Sequence, residues 1–371
     1  MKRFINILIC ILKSKKVFFV EKKKFVIFDC VGSDVISEIL PKHQTFIISA
    51  RVNLINKIFI NFKSIFFLIQ NFFSRSMQLN YYISLINQVK PKFVITTIDN
   101  SINFSILTKY FENKIKFIAI QNATRGDIFK NEGDNNKNLY FTHYFGFSNF
   151  DLDLMRKKNI NLKNFFSVGS LRNSYYKKYL YKEKEDVFKN FDICLVQKKI
   201  FENEKIISNQ LAADTFILLN FLAKYVLKFK KKIIIQSKSY FNDAEKLFIE
   251  KLFAGCHYKI NWLDKVNFNS YKSISSSELV IGAPSTLLRE ASVYPKTKIV
   301  CFDTSMKIGR TPFKGINLIK DNSYEKFEEK LNLLLKLHFK EYLNKLENKP
   351  EYLMEKTDTI NYLLNYLNNI D

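Results

Sequence analysis

Four short polar clusters, each placed just after an apolar, β-rich run, hold the residue types that could do chemistry. In Leu279-Val-Ile-Gly-Ala-Pro-Ser-Thr-Leu-Leu-Arg-Glu290 a strand ends at Gly282, Pro284 fixes the backbone, and Ser285 caps a helix that starts at Thr286. Free N–H groups at a helix start, with the Ser285 and Thr286 hydroxyls beside them, form a phosphate cradle that needs no cationic side chain. Glu290 follows Thr286 by four residues and shares its helix face, where a carboxylate accepts hydrogen bonds from a ribose. The plainer alternative is an ordinary Ser-capped helix carrying an exposed Glu.

The second cluster, Ser167-Val-Gly-Ser-Leu-Arg-Asn173, closes the last strand of the first half. Gly169 allows the backbone to approach a ligand closely. Ser170 and Arg172 are set to meet a phosphate or an acceptor, Arg being planar and always charged. Read without a ligand, the same residues make a Gly-Ser turn into a linker. The third cluster, Ile120-Gln-Asn-Ala-Thr-Arg-Gly-Asp127, offers Gln121, Asn122 and Arg125 at a strand's carboxyl end, where polar groups either cap the next element or line a cleft. The fourth, Thr96-Thr-Ile-Asp-Asn-Ser101, places Asp99 and Asn100 likewise. Asp99 is then either a helix cap or a general base for an incoming hydroxyl. Lys238, just beyond the strand expected at 232–236, is a candidate cation for a diphosphate or a solvated loop Lys. Of the four histidines, His143 sits inside an apolar run and is the one candidate for catalysis. Asp151-Leu152-Asp153 matches the Asp-x-Asp of metal-dependent transferases, but it opens a helical run, where acidic residues suit the helix start. Neither an essential divalent ion nor another cofactor is expected. A P-loop and a dinucleotide glycine fingerprint are absent from the sequence.

The order QNATRG, VGSLRN, STLLRE resembles that of the GT-B surface carbohydrate biosynthesis proteins of bacteria. It is more distantly similar to CDP-glycerol glycerophosphotransferases and capsule Kdo transferases. Those families show Gln-His-Gly after a first-domain strand, Gly-x-Pro-Arg-Asn near the domain junction, and a Ser-Ser or Ser-Thr helix start followed by Glu. The resemblance spans roughly residues 90 to 302. It implies a metal-independent glycosyltransferase that moves a sugar from a CMP-, CDP- or UDP-linked donor to a surface polysaccharide or lipid-linked acceptor. Ser285 and Thr286 would hold the donor phosphate and Glu290 its ribose, with Gly169 and Arg172 at the cleft and Gln121 and Asn122 near the acceptor. Asn122 stands where the glycerophosphotransferases have His, and Leu171 where they have Pro. Asn is no general base, so glycerophosphate chemistry by that route is not implied. The alternatives are a nucleotide-sugar epimerase of the same architecture and a non-catalytic basic protein that binds membrane or nucleic acid.

Positioning these clusters takes alternating strands and helices, the signature of βαβ units and parallel sheets. Strands are expected at 25–29, 46–50, 92–98, 116–121, 140–147 and 165–168, then at 193–196, 232–236, 259–262, 279–281 and 298–302. Helices are expected at 206–227, 243–253, 286–292, 324–336 and 341–370. A charged stretch at 175–189 interrupts the alternation. The expected fold is α/β with two Rossmann-like domains: an acceptor domain over 1–174, a donor domain over 190–340, and a helical tail over 341–371 that packs back on the first domain. Ligands of such pairs bind in the cleft between the domains, at strand carboxyl ends.

The chain has 371 residues, of which 47% are hydrophobic and 25% charged, enough for two folded domains and too apolar for disorder. Lys and Arg outnumber Asp and Glu by 59 to 35, a net charge of +24. That excess fits an anionic partner. It fits equally the drift toward Lys, Asn, Ile, Phe and Tyr that an AT-rich genome produces. The basic runs at 22–24, 156–158, 198–199 and 230–232 are short and dispersed, which argues against nucleic acid. The five cysteines show no pairing or metal spacing and are expected to be reduced. The apolar stretch 4–12 is too short to span a bilayer, which takes about 20 residues. It is expected to form a surface helix, and the protein to be cytoplasmic, peripheral on the inner membrane face.

Overall fold

Phe25-Val-Ile-Phe28 and Phe93-Val-Ile-Thr96 are apolar on both sides of the strand, so neither face can look at water. Such runs build parallel sheets covered on both faces. In the computed structural model, which describes residues 13–51, 57–71, 73–125, 139–180, 189–202, 205–206, 210–264, 266–305 and 311–369, they do so twice. The helix expected at 4–12, most of the charged stretch at 175–189, and Asp127 lie outside the described residues. The chain divides into one unit of Met1–Gly146, Asp151–Leu171 and Ile360–Asp371, and a second of Phe147–Phe150 and Arg172–Thr359.

The first unit holds β1 (Phe25–Phe28), β2 (Thr45–Ile48), β3 (Phe93–Thr96), β4 (Lys116–Ile120), β5 (Tyr140–Gly146) and β6 (Asn161–Ser167), all parallel, in the order β2-β1-β3-β4-β5-β6. Val26 pairs with both Phe46 and Val94, and Ala119 pairs with Tyr144. Between the strands run α1 (Asp34–Ile39), α2 (Phe62–Gln70), α3 (Met77–Val89), α4 (Ile102–Phe111) and α5 (Asn149–Lys157). Phe28 meets Tyr82 of α3 edge-on and Phe104 of α4 at a tilt, and Phe104 in turn meets Phe117 of β4. Lys15–Val17 and Lys57–Phe59 form a separate parallel ribbon.

The second unit holds β7 (Phe191–Val196), β8 (Lys232–Gln236), β9 (His257–Asn261), β10 (Ser277–Gly282), β11 (Lys298–Phe302) and β12 (Leu318–Ile319), again all parallel. Their order, β9-β8-β7-β10-β11-β12, is that of the doubly wound nucleotide-binding sheet. Its helices are α6 (Leu171–Tyr175), which starts at the junction of the units, α7 (Gln210–Phe229), α8 (Asp243–Leu252), α9 (Asn269–Ser275), α10 (Thr286–Glu290), α11 (Tyr324–Lys336), α12 (Phe339–Asn344) and α13 (Pro350–Leu353). Gly282 is obligatory at the end of β10, because a Cβ there would come within 2.7 Å of the Val196 carbonyl oxygen.

The helix expected over 341–370 is three helices. Pro350 starts one of them at the first helical position, where its missing N–H costs nothing. The last, α14 (Thr359–Asn369), packs back on the first unit as expected. Its Ile360, Leu363 and Leu367 are buried, and Tyr366 packs edge-on against Phe145 and Phe166. The short helix expected at 286–292 gives way at Ala291 to a tighter 3₁₀ turn, and β12 was not expected at all.

Arg289 of α10 is fully buried, which its sequence context does not suggest. Its Nε donates to the Leu353 carbonyl (2.8 Å) and a terminal nitrogen to Ser148 Oγ (3.0 Å), while the guanidinium lies over the rings of Phe147 and Phe150. This one side chain ties the Phe147–Phe150 segment and α13 to α10. Arg289→Met keeps the length and removes every donor. It is expected to lower the stability of the chain by about 2–4 kcal/mol in urea titrations, because a buried carbonyl loses its partner.

Candidate functional site

In the first unit the strand order reverses between β1 and β3, the place where open α/β sheets bind ligands. The turn after β1 carries Gly32 at φ +71°, and a Cβ there would stand 2.8 Å from the Asn122 amide nitrogen and 3.3 Å from Thr97 Oγ1. Thr97 Oγ1 donates to the Val31 carbonyl (3.1 Å). The carboxyl ends of β1, β3 and β4 thus converge on one spot, and the half-buried Asn122 faces it.

Behind that spot is a buried charge cluster. Asp99 is fully buried, and Arg125 Nε reaches both of its oxygens, at 3.1 and 3.0 Å, with a second donor from Arg125 Nη2. Tyr144 Oη donates to Asp99 Oδ2 at 2.6 Å. Burial first, and then the neighbouring Asp99 charge, push the Tyr144 phenol far up, so it remains a donor. Burial works against the Arg125 charge, but Asp99 outweighs it and the guanidinium is held protonated. Asp99 is therefore not a helix cap. That place belongs to Ser101, whose side chain accepts from Phe104 N. Nor does its geometry suit a general base, since both oxygens are already engaged. Gln121 is buried as well, its amide donating to Asp151 Oδ1 (2.7 Å) and to the Ala123 carbonyl (3.1 Å). Asp151 of the Asp-x-Asp sits in the first turn of α5. Asn100 is exposed.

His143 does not join this cluster. Adjacent residues on a strand point to opposite faces, so Tyr144 turns to Asp99 while His143 turns to α14, stacked on Phe166 and beside Tyr366. Its Nδ1 lies 3.3 Å from the Phe117 carbonyl, and burial pushes its pKa down. It is a packed histidine, and the expectation of a catalytic one is corrected.

At the end of β6, Gly169 adopts φ +82°, a left-handed conformation suited to Gly, and its N–H reaches back to the Gly146 carbonyl at 3.3 Å. Ser170 is buried.

In the second unit the order reverses between β7 and β10, and Ser285 follows β10 directly. Its Oγ accepts from Leu288 N at 3.1 Å, so it caps α10 as expected, and Thr286 beside it is half-buried. Glu290 is buried, which removes the alternative of an exposed helix Glu. It accepts from Tyr271 Oη at 2.9 Å, and Tyr271 is stacked between Tyr176 and Phe268. Arg172 lies over the Phe268 ring, and its charge partly offsets the rise that burial and Glu290 impose on the Tyr271 phenol. Arg172, Tyr271 and Glu290 thus form one electrostatic group.

A third cluster escaped the sequence reading. Glu245 of α8 is fully buried and accepts from Gln197 Nε2 (3.0 Å), Ser237 Oγ (2.5 Å) and Ser239 Oγ (2.8 Å). Burial raises its pKa against the pull of those donors. The cluster fixes the loop after β8, on which Lys238 stands exposed between two anchored serines. Gln197, one residue beyond β7, presents a buried Oε1 with no partner among the described residues. The only sequence signal was the spacing Ser237-x-Ser239 after a strand. Glu245 itself looks like an exposed acid in a helix's first turn.

No protein-family model matches this chain, and no curated protein matches it. Solved structures do. A UDP-GlcNAc 2-epimerase from Neisseria meningitidis bound to UDP-GlcNAc superposes with a TM-score of 0.57 at 12% identity, covering 94% of this chain and 99% of that one. The Methanocaldococcus jannaschii UDP-GlcNAc 2-epimerase in complex with UDP-GlcNAc and UDP gives 0.50 at 15% identity, over 93% and 99%. A structure of the wall teichoic acid polymerase TagF gives 0.51 at 10% identity, over 94% and 89%. The similarity runs through nearly the whole chain, and the fold is the GT-B type, two Rossmann-like units in tandem, that the order of the motifs implied.

Proposed function

We propose that this chain is a nucleotide-sugar enzyme, and specifically a glycosyltransferase that moves a sugar from a CMP-, CDP- or UDP-linked donor to a polysaccharide or lipid-linked acceptor at the inner membrane face. The observation that carries the reading is the second unit's strand reversal, where the short helix α10 starts with Ser285 and Thr286 and ends on the buried Glu290, which accepts from Tyr271 of α9. In this reading the α10 N–H groups and hydroxyls bind the donor phosphate, and Lys238 adds a charge from the anchored loop. Glu290 accepts from the ribose and Arg172 holds the group in place. As the acceptor hydroxyl bonds to the anomeric carbon, the bond to the phosphate breaks, the hydroxyl proton passes to the departing phosphate oxygen, and these donors stabilise the leaving charge. Asn122, beside Gly32 and Thr97, orients the acceptor, with Gln121, Asn100 and Ser170 around it. Asp99 and Arg125 hold Tyr144 and the strand ends in position.

Epimerisation on the same scaffold is the second reading, favoured by the epimerases among the similar structures. It requires carboxylates able to exchange a proton with the sugar. Among the buried carboxylates of the first unit, Asp99 has both oxygens tied to Arg125 and Tyr144 and so exchanges no proton in either reading, while Asp29, at the end of β1, accepts from Arg51 Nε and from Val31 N.

Calorimetric titration with CMP, CDP, UDP and GDP tests the donor site. Replacing Ser285 and Thr286 together by Ala removes two hydrogen bonds to a charged group, roughly 3–6 kcal/mol, and a loss of affinity of a hundredfold or more is expected. The lost cap alone costs about 1 kcal/mol of stability. Unchanged nucleotide affinity in the double variant returns α10 to a plain capped helix. Glu290→Gln is expected to weaken a nucleoside diphosphate while leaving inorganic pyrophosphate unaffected.

The role of Asp99 is separable from the chemistry. Asp99→Asn leaves the Arg125 charge buried without its counter-ion, and a stability loss of about 3–5 kcal/mol is expected in denaturant titration. Asp99→Asn with Arg125→Met should recover most of it. A single variant that keeps full stability but loses all turnover returns Asp99 to the role of general base.

A further inference from the structure

One helix of the first unit turns an apolar stripe to solvent. In α2 the residues Phe62, Ile65, Phe66 and Ile69 recur at the i, i+3, i+4, i+7 spacing by which a helix faces its core. Here that stripe faces solvent, with Phe62 81% and Ile69 69% exposed. The side turned inward is mixed, with Phe67 and Leu68 half-buried beside a polar seam. Ser64 is buried and accepts from Gln88 Nε2 at 2.9 Å, Asn61 Nδ2 donates to Gln88 Oε1 at 2.6 Å, and the same Gln88 amide reaches Ser84 Oγ on α3 at 3.1 Å. This hydrogen-bonded seam fixes α2 in its orientation, so the outward stripe is not a helix that merely failed to turn. Phe18 and Phe19, 72% and 74% exposed, continue the apolar surface across a 960 Å³ groove shared with Phe62 and Phe67. Lys22, Lys63 and Lys90 line the same groove, and its single acid, Glu21, is paired with Lys23.

We propose that this face docks on an anionic bilayer, with the Phe and Ile side chains entering the acyl boundary and the lysines meeting lipid phosphates. Charge decides between partners. The cores of protein interfaces are depleted of Lys, whereas at a bilayer surface Lys lies along the apolar side chains and raises its ammonium to the headgroups. Here Lys63 and Lys90 stand exposed along the edge of the apolar surface. Among the described residues no helix is long and apolar enough to cross a membrane. The inference deepens the proposed function, since it gives a lipid-linked acceptor a route to the enzyme. It shares no residue with the proposed nucleotide site, so either can fail alone.

The test is co-sedimentation of the full chain with vesicles of phosphatidylcholine, with and without phosphatidylglycerol. The wild type is expected to bind the mixed vesicles strongly and the neutral ones weakly. Phe62→Ser with Phe66→Ser should lower partitioning at least tenfold. Lys63→Glu with Lys90→Glu should abolish the preference for anionic lipid. Both pairs are exposed, so circular dichroism and nucleotide titration are expected to be unchanged, which separates this surface from the donor site. Vesicle binding that both double variants retain overturns the proposal and assigns attachment elsewhere on the chain. A chain that ignores vesicles but self-associates through the patch, becoming monomeric on Phe62→Ser and Phe66→Ser in analytical ultracentrifugation, overturns it in favour of a second copy.

Discussion

Parallel strands covered on both faces leave polar chemistry a single way out, the ends of the strands, and both units of this chain obey that constraint. Val26, Ile27, Val94 and Ile95 in one sheet, and Ile193, Cys194, Val280 and Ile281 in the other, are fully buried. A functional group in mid-strand would have to pay its desolvation there with no ligand to answer it. The residues that follow the strands are different. Asp29, Thr97, Asp99 and Gln121 in the first unit, and Gln197, Ser237 and Ser285 in the second, come one to three residues after an apolar run ends. Where the strand order reverses, the helices that follow adjacent strands diverge to opposite faces, and a crevice opens at the point where those residues emerge.

Placing charge there is costly, and the structure answers the cost with local protein partners. Asp99 has a guanidinium and a phenol, Glu245 has an amide and two hydroxyls, and Glu290 has a phenol backed by Arg172. Such networks add little to net stability compared with apolar packing, but breaking one is expensive. Their consequence is stiffness. The Ser237–Ser239 loop and the strand ends around Asn122 are held in one geometry before any ligand arrives, which is what a site that stabilises developing charge requires.

How far the sequence could be read follows from the same physics. Strands such as β1, β3, β8 and β11 were legible because burial on both faces makes the run continuous, and the helix start at Ser285 was legible because a cap has a residue type. The C-terminal helix was misjudged as one piece, since its 3.6-residue apolar period carries on through two interruptions, although Pro350 marked a helix start. His143 differs from its expected place by one residue of strand parity: its neighbour Tyr144 faces Asp99. Glu245 and Arg289 were invisible for a different reason. A charged residue in a helix looks solvated until the groups that pair with it are brought from distant parts of the chain, and Gln197 and Leu353 lie 48 and 64 residues away.

The large basic excess gains a physical meaning only when charge is read together with apolar exposure. Spread evenly, +24 on a chain of this size is a solubility property and selects no partner. Lys63 beside an outward apolar stripe, with Lys22 and Lys90 along the same groove, is another matter, because there the charge is coupled to a surface that water disfavours. The inward seam of Asn61, Ser64, Ser84 and Gln88 matters as much as the stripe. Rotating α2 to bury Phe62 and Phe66 would break those hydrogen bonds and turn the half-buried Phe67 and Leu68 outward. The helix therefore keeps its apolar face outward for a reason internal to the fold.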